Sequence, residues 1–267
     1  MNKALLVGIN LYPSGRLLGS VNDVLDMREF LVSACGFQNT DIRMLVDNEA
    51  TRQAIIEGLG WLLADIKPGD RLLFQFSGHG LRIPKGVAVD GYRYYDKAVC
   101  PHDFDWDGAN TICDKEFAKM FVNIPDGASF VWISDSCHSG ELVKMAANND
   151  GGMPPIITVQ DAGLQKTGEK DNGTETPAIN GDAKSLNLAL IAACSAYQKA
   201  DDMYFDNRPN GVFTYFLLQE LRTQGGLEKP LCELVTNICQ NLLQHRYSQV
   251  PQIVGPSTLK NKAFLAV

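Results

Sequence analysis

The sequence predicts an α/β protein: a mostly parallel, roughly six-stranded sheet in a three-layer sandwich, with helices on both faces. Two observations lead there. Apolar runs of strand length alternate with segments of helical periodicity through the first half of the chain. The order is strand, helix, strand, helix, which calls for parallel strands joined by crossover helices.

The elements follow in chain order. "ALLVGIN" (4–10) is an apolar run ending in a polar turn, hence a buried strand. "VNDVLDMREFLVSACGF" (21–37) carries Val21, Val24, Leu25, Phe30 and Leu31 at helical spacing and ends near Gly36. "DIRMLVD" (41–47) alternates as a strand. Thr51 is placed to cap a helix running to about Ile66, with Ile55, Ile56, Leu59, Leu62 and Leu63 on its face. "DRLLFQFSGHG" (70–80) is a strand expected to stop at glycine. "TICDKEFAKMFVNI" (111–124) is a short helix, and "ASFVWISDS" (128–136) a further strand. Residues 147–185 are rich in Asn, Gly, Pro, Asp, Lys and Thr, and only "PIITV" (155–159) has strand character. A connector this long inside a compact domain is usually functional or disordered. Order then resumes with a strand at 186–194, helices at 211–224 and 230–247, and a last short strand at 251–254. Neither part can close the sheet alone, so residues 1–267 are read as one domain.

Composition narrows the function classes. A net charge of −7 argues against broad binding to nucleic acid or anionic membranes. No run of about 18 apolar residues offers a membrane span, and the opening residues read as a strand, not a cleavable leader. Seven cysteines, odd in number and without a CxxC pair, suggest free thiols in a reducing cytoplasm.

The chemistry sits in two glycine-rich stretches at predicted strand ends. "FSGHG" holds His79 and "SDSCHSG" holds Cys137. In open parallel α/β sheets, sites form at the carboxyl ends of strands. If the two strands are neighbours, His79 meets Cys137 across that edge. The adjacent His138 is the weaker base, because successive strand residues point to opposite faces. A thiol with a pKa of about 8.5 needs only modest activation to act as a nucleophile. His79 would take the thiol proton and later protonate the leaving amine. The N–H groups of Gly80 and Cys137 are candidate oxyanion donors. No carboxylate is assigned to orient His79. The bland alternative is a buried structural cysteine with a turn histidine.

These residues resemble the metacaspase and orthocaspase branch of the caspase-like cysteine peptidases. The resemblance rests on "SGHG" and "DSCHSG", with His79 and Cys137 58 positions apart, and is extended by "ALLVGIN", "GSVNDV" (19–24) and "GVFTYFLLQEL". It implies a caspase-like sandwich, with residues 1–146 large-subunit-like and 186–267 small-subunit-like. It implies cleavage after Arg or Lys, because Asp135 stands where true caspases carry glutamine. Asp23 matches the family's second pocket carboxylate, and Ser20 and Ser77 match positions lining that pocket. Read without the family, Asp23 is a helix cap and Asp135 a turn residue. A basic-specific peptidase could cut its own connector, where Lys144, Lys166, Lys170 and Lys184 are the candidate sites. Many metacaspases bind calcium through clustered aspartates. Asp96 and Asp114 match two of those positions, but Lys115 and Lys144 fall where acidic ligands are expected. No metal or other cofactor is therefore expected. The expected partners are peptides or proteins with Arg or Lys before the scissile bond, with a monomer favoured. The rival from another class is a non-catalytic adaptor on the same fold.

Overall fold

The computed structural model describes residues 1–13, 15–87, 93–105, 109–138, 186–194 and 200–266. Within these, the side chains of residues 82, 84–87, 93–95, 137 and 138 are not described. The main sheet has six strands: β1 (Asn2–Gly8), β2 (Ile42–Val46), β3 (Arg71–Val87), β6 (Ser129–His138), β7 (Ala189–Ala192) and β10 (Gln252–Val254). They lie in the order β10-β7-β6-β3-β1-β2. All neighbours are parallel except β10, which runs antiparallel to β7.

Alternate strand residues feed two cores, as a period of two requires. On one face Leu5 and Val7 of β1 pack with Ile55, Leu59 and Leu62 of α2 (Arg52–Leu63). Trp132 of β6 anchors that side, its ring 4.5 Å from Phe117 and 5.6 Å from Phe121, both on α3 (Asp114–Phe121). On the other face Ala4 and Leu6 meet α1 (Ser20–Ala34), α4 (Val212–Leu221) and α5 (Leu231–Gln244). The result is the expected three layers. Thr51 caps α2 as expected, its side chain accepting from Ala54 N at 3.2 Å. Helix α1 lies tight against β1. A Cβ on Gly8 would fall 2.5 Å from the Ser20 carbonyl, so glycine there lets the start of α1 reach the sheet's carboxyl edge.

Four departures from the sequence reading matter. Strand β3 does not stop at Gly80. It runs on to Val87 because a later segment, β4 (Arg93–Val99), pairs antiparallel with its far half. Residues Ile112–Cys113, expected to open a helix, instead form β5 against β4, and the helix begins at Asp114. These two strands raise the sheet to eight. A separate hairpin, β8 (Asp202–Phe205) with β9 (Arg208–Gly211), precedes α4. It had no counterpart in the sequence reading. A short helix, α6 (Ser257–Lys260), follows β10.

Candidate active site

Parallel pairing of β3 with β6 sets His79 directly opposite Cys137 in register, with Ser77 opposite Asp135 and Gly80 opposite His138. Both reactive positions lie within paired strands, where turns were expected. Continued pairing is the reason: β4 holds β3 beyond Gly80, and β6 stays in register with β3 to His138.

His79 is 9% exposed and is fixed through backbone and ring. Its N–H donates to the Tyr12 hydroxyl at 2.9 Å, and its carbonyl accepts from Cys100 N at 2.9 Å. The Tyr12 hydroxyl donates onward to the Cys100 carbonyl at 2.8 Å. The Tyr12 and His79 rings pack with centroids 4.4 Å apart. Nε2 of His79 contacts the Gly15 carbonyl. A carbonyl only accepts, so Nε2 carries the proton and Nδ1 is the basic nitrogen of the neutral ring. Burial pushes the imidazole below its ordinary pKa, while the Gly15 contact and the charge of Asp202 pull it partly back. A largely neutral ring at pH 7 suits a base. Sequence reasoning missed Tyr12 and Gly15. A backbone carbonyl has no residue signature, and a tyrosine in a polar turn reads as surface.

Beside this pair lies an acidic cluster. Asp23 is 1% exposed and Asp135 is 6% exposed. Asp23 Oδ1 accepts from Gly211 N at 2.9 Å and from the Asn210 amide at 3.1 Å. Asp135 Oδ2 accepts from the Thr214 hydroxyl at 2.6 Å and from Thr214 N at 3.1 Å. A Cβ on Gly211 would sit 2.6 Å from Asp23 Oδ2 and 2.5 Å from Asp135 Oδ2, so the two carboxylates flank one point of the hairpin. Burial and the neighbouring Asp135 charge raise the pKa of Asp23, against the hydrogen bonds from Gly211 and Asn210. Burial raises Asp135 to about 6, offset by Thr214 and reinforced by Asp202. Both carboxyls are thus held above their usual range, and no cation is bonded to either among the described residues. Asp23 does stand in the first turn of α1, yet its bonds run to the hairpin and not to its own helix N–H groups. Ser20 and Ser77 are buried nearby, and Ser77 Oγ accepts from the Gln75 amide at 3.3 Å. The hairpin residues Asn210, Gly211 and Asp202 and the helix residue Thr214 were missed, since they lie far along the chain from Asp23.

The described positions that the resemblance matched to calcium ligands, Asp96, Asp114 and Lys115, lie on β4 and at the start of α3. Asp96, Cys113 and Asp114 bring their ligand atoms within 4.8 Å of one another. Lys115 Nζ is 3.0 Å from Asp96 Oδ1. The connector 147–185 and Lys144, Lys166, Lys170 and Lys184 lie outside the described residues, as does "PIITV". No described helix is long and apolar enough to cross a membrane.

Residues 2–146 match the family model described as metacaspase, peptidase C14 domain. Metacaspase-1 of the yeast Meyerozyma guilliermondii is 28% identical across 94% of this chain and 68% of that protein. The chain spans 38% and 50% of two Arabidopsis thaliana metacaspases it matches. A solved Geobacter sulfurreducens protein superposes with a TM-score of 0.66 at 25% identity, covering 100% of this chain and 99% of that one. Caspase-1 from Spodoptera frugiperda superposes over 100% of this chain and 92% of its own with a TM-score of 0.56. At 12% identity it speaks to the fold alone.

Proposed function

From the premise that the chain belongs to the metacaspase family of peptidase C14, we propose a cysteine endopeptidase that cleaves after Arg or Lys through a Cys137–His79 dyad. The observation that carries this reading is the register opposing His79 to Cys137 on neighbouring strands, with the ring held by Tyr12 and Gly15. Nδ1 of His79 takes the thiol proton as the sulfur attacks the scissile carbonyl. The N–H groups of Gly80 and Cys137 receive the oxyanion. As the carbon–nitrogen bond breaks, His79 gives its proton to the departing amine and a thioester remains. Water then attacks with His79 again as base, releasing the acid and restoring the thiol. Asp23 and Asp135 bind the guanidinium or ammonium of the preceding side chain through charge-assisted hydrogen bonds, each contributing about 1.5–3 kcal/mol. Ser20 and Ser77 line the same recess.

Calcium plays no part in this reading. A Ca²⁺ ion takes 6–8 oxygen ligands, and the residues here do not fit it: an ammonium already pairs with Asp96 from the position of a would-be ligand. Autoproteolysis at Lys144, Lys166, Lys170 or Lys184 is part of the proposal. Pairing of β6 with β7 supports it, because that contact would keep the two parts together after a cut. A monomer in a reducing cytoplasm completes the picture, in keeping with six free cysteines among the described residues.

The test is hydrolysis of a fluorogenic Arg peptide, with and without chelator, by wild type, Cys137→Ala and His79→Ala, followed by mass spectrometry of each chain. Turnover by wild type alone, unaffected by chelator, is expected, with connector cuts absent from Cys137→Ala. Folded wild type that turns over no Arg or Lys peptide, even after limited proteolysis, would leave the adaptor role in its place.

A further inference from the structure

The hairpin that closes the acidic cluster carries a third carboxylate. Asp202, the first residue of β8, pairs in register with Gly211, the residue flanked by Asp23 and Asp135. Its Oδ2 accepts the N–H groups of Leu18, at 2.8 Å, and Gly19, at 3.1 Å. The loop so pinned bears the Gly15 carbonyl that holds His79 and the Gly19 carbonyl that accepts from Asp23 N. The charge of Asp202 is felt at His79, Asp23 and Asp135 alike. Among the described residues no ammonium or guanidinium bonds to any of the three carboxylates. Arg208, on the same hairpin, is taken by Asp26. Without a counter-charge, Asp202 adds to what holds back ionisation of Asp23 and Asp135, and an incoming cation relieves that opposition.

We propose that Asp202 is a positioning residue for His79 and the third acidic wall of the recess for Arg or Lys. One side chain thereby links admission of the basic residue to placement of the imidazole. The inference rests on the peptidase reading above. The bland role for Asp202 is a remote cap on α1, whose Gly19 N-cap makes no side-chain cap bond of its own.

Asparagine separates the two roles, because it keeps an oxygen for Leu18 and Gly19 but drops the charge. The experiment compares wild type, Asp202→Asn, Asp202→Ala and Asp202→Glu on two peptides that differ only in Arg or its neutral isostere citrulline before the scissile bond. Circular dichroism melting checks each fold. Asp202→Asn is expected to raise KM for the Arg peptide about tenfold with kcat little changed, and to shrink the Arg-to-citrulline preference by the same factor. Asp202→Ala is expected to lower kcat as well, because the loop bearing Gly15 loses its anchor. Asp202→Glu is expected to recover part of the Arg preference. A purely structural cap predicts that Asn is silent. An active wild type with an Asn variant of unchanged KM and preference would sink this inference alone. A folded wild type that cleaves neither peptide would sink the peptidase reading and this inference together. If the Ala variant does not fold, the Asn and Glu variants still decide.

Discussion

Gly211→Ala adds one methyl group where the acidic pair converges. The new Cβ would lie 2.5 Å from Asp135 Oδ2 and 2.6 Å from Asp23 Oδ2. That is about 1 Å inside ordinary van der Waals contact. The backbone at 211, with φ −61° and ψ 129°, is open to alanine, so the conflict is confined to the recess. Overpacking of this kind costs roughly 1–3 kcal/mol, enough to lower Tm but not to unfold the chain. The effect on turnover is larger. The methyl displaces both carboxylates from the site of an incoming guanidinium. Losing two charge-assisted hydrogen bonds of about 1.5 kcal/mol each removes about 3 kcal/mol. That is roughly a 150-fold loss in kcat/KM for an Arg peptide. The rate of Cys137 alkylation by iodoacetamide reads the dyad separately and should stay near wild type. A folded Gly211→Ala enzyme that keeps kcat/KM for Arg within about threefold would refute the assignment of Asp23 and Asp135 to substrate.

Three more outcomes are expected. Tyr12→Phe strips the partner of His79 N and of the Cys100 carbonyl, two buried backbone groups. Urea denaturation should show a loss of about 2–4 kcal/mol, with a lower kcat. Asp135 moves from an ordinary pKa of 3.8 to about 6 in the fold. A raised carboxyl favours folding below about pH 4, and that contribution fades as pH climbs through 6. The stability difference between wild type and Asp135→Asn should therefore shift against wild type between pH 4 and 6, while turnover of Arg peptides rises over the same window as the recess ionises. Lys115→Asp replaces the ammonium beside Asp96 with an oxygen ligand. Millimolar calcium should then raise Tm in the variant and leave wild type unmoved; a calcium-stabilised wild type would contradict the poor fit of this site.

Much of this was legible locally. The Thr51 cap, the apolar strand at β1 and the helical spacing of α1 and α5 are short-range signals, and each element formed close to its expected bounds. The sheet-edge rule put His79 and Cys137 at strand ends on one edge, while the adjacency of their strands was only a condition, which the pairing of β3 with β6 meets. What escaped was non-local. The run of β3 past Gly80 depends on β4, whose sequence "RYYDKAV" carries three charges in seven residues and no strong apolar pattern. The far wall of the acidic cluster comes from Asn210, Gly211 and Thr214, and no spacing rule links them to Asp23. Asp135 was readable by residue type, but its hydrogen-bonding to Thr214 was not. The clamp on His79 is made of a carbonyl and a hydroxyl, and neither is marked by a motif.

Tyr12, Cys100 and Gly15 immobilise the imidazole before any peptide arrives. If His79 is the base, as proposed, its reorganisation contributes little to the activation barrier. On that reading, latency would act on the nucleophile or on the acidic recess and not on the ring. In hydrogen exchange, the amides of His79 and Cys100 should rank among the slowest in the molecule, whether a ligand is bound or absent.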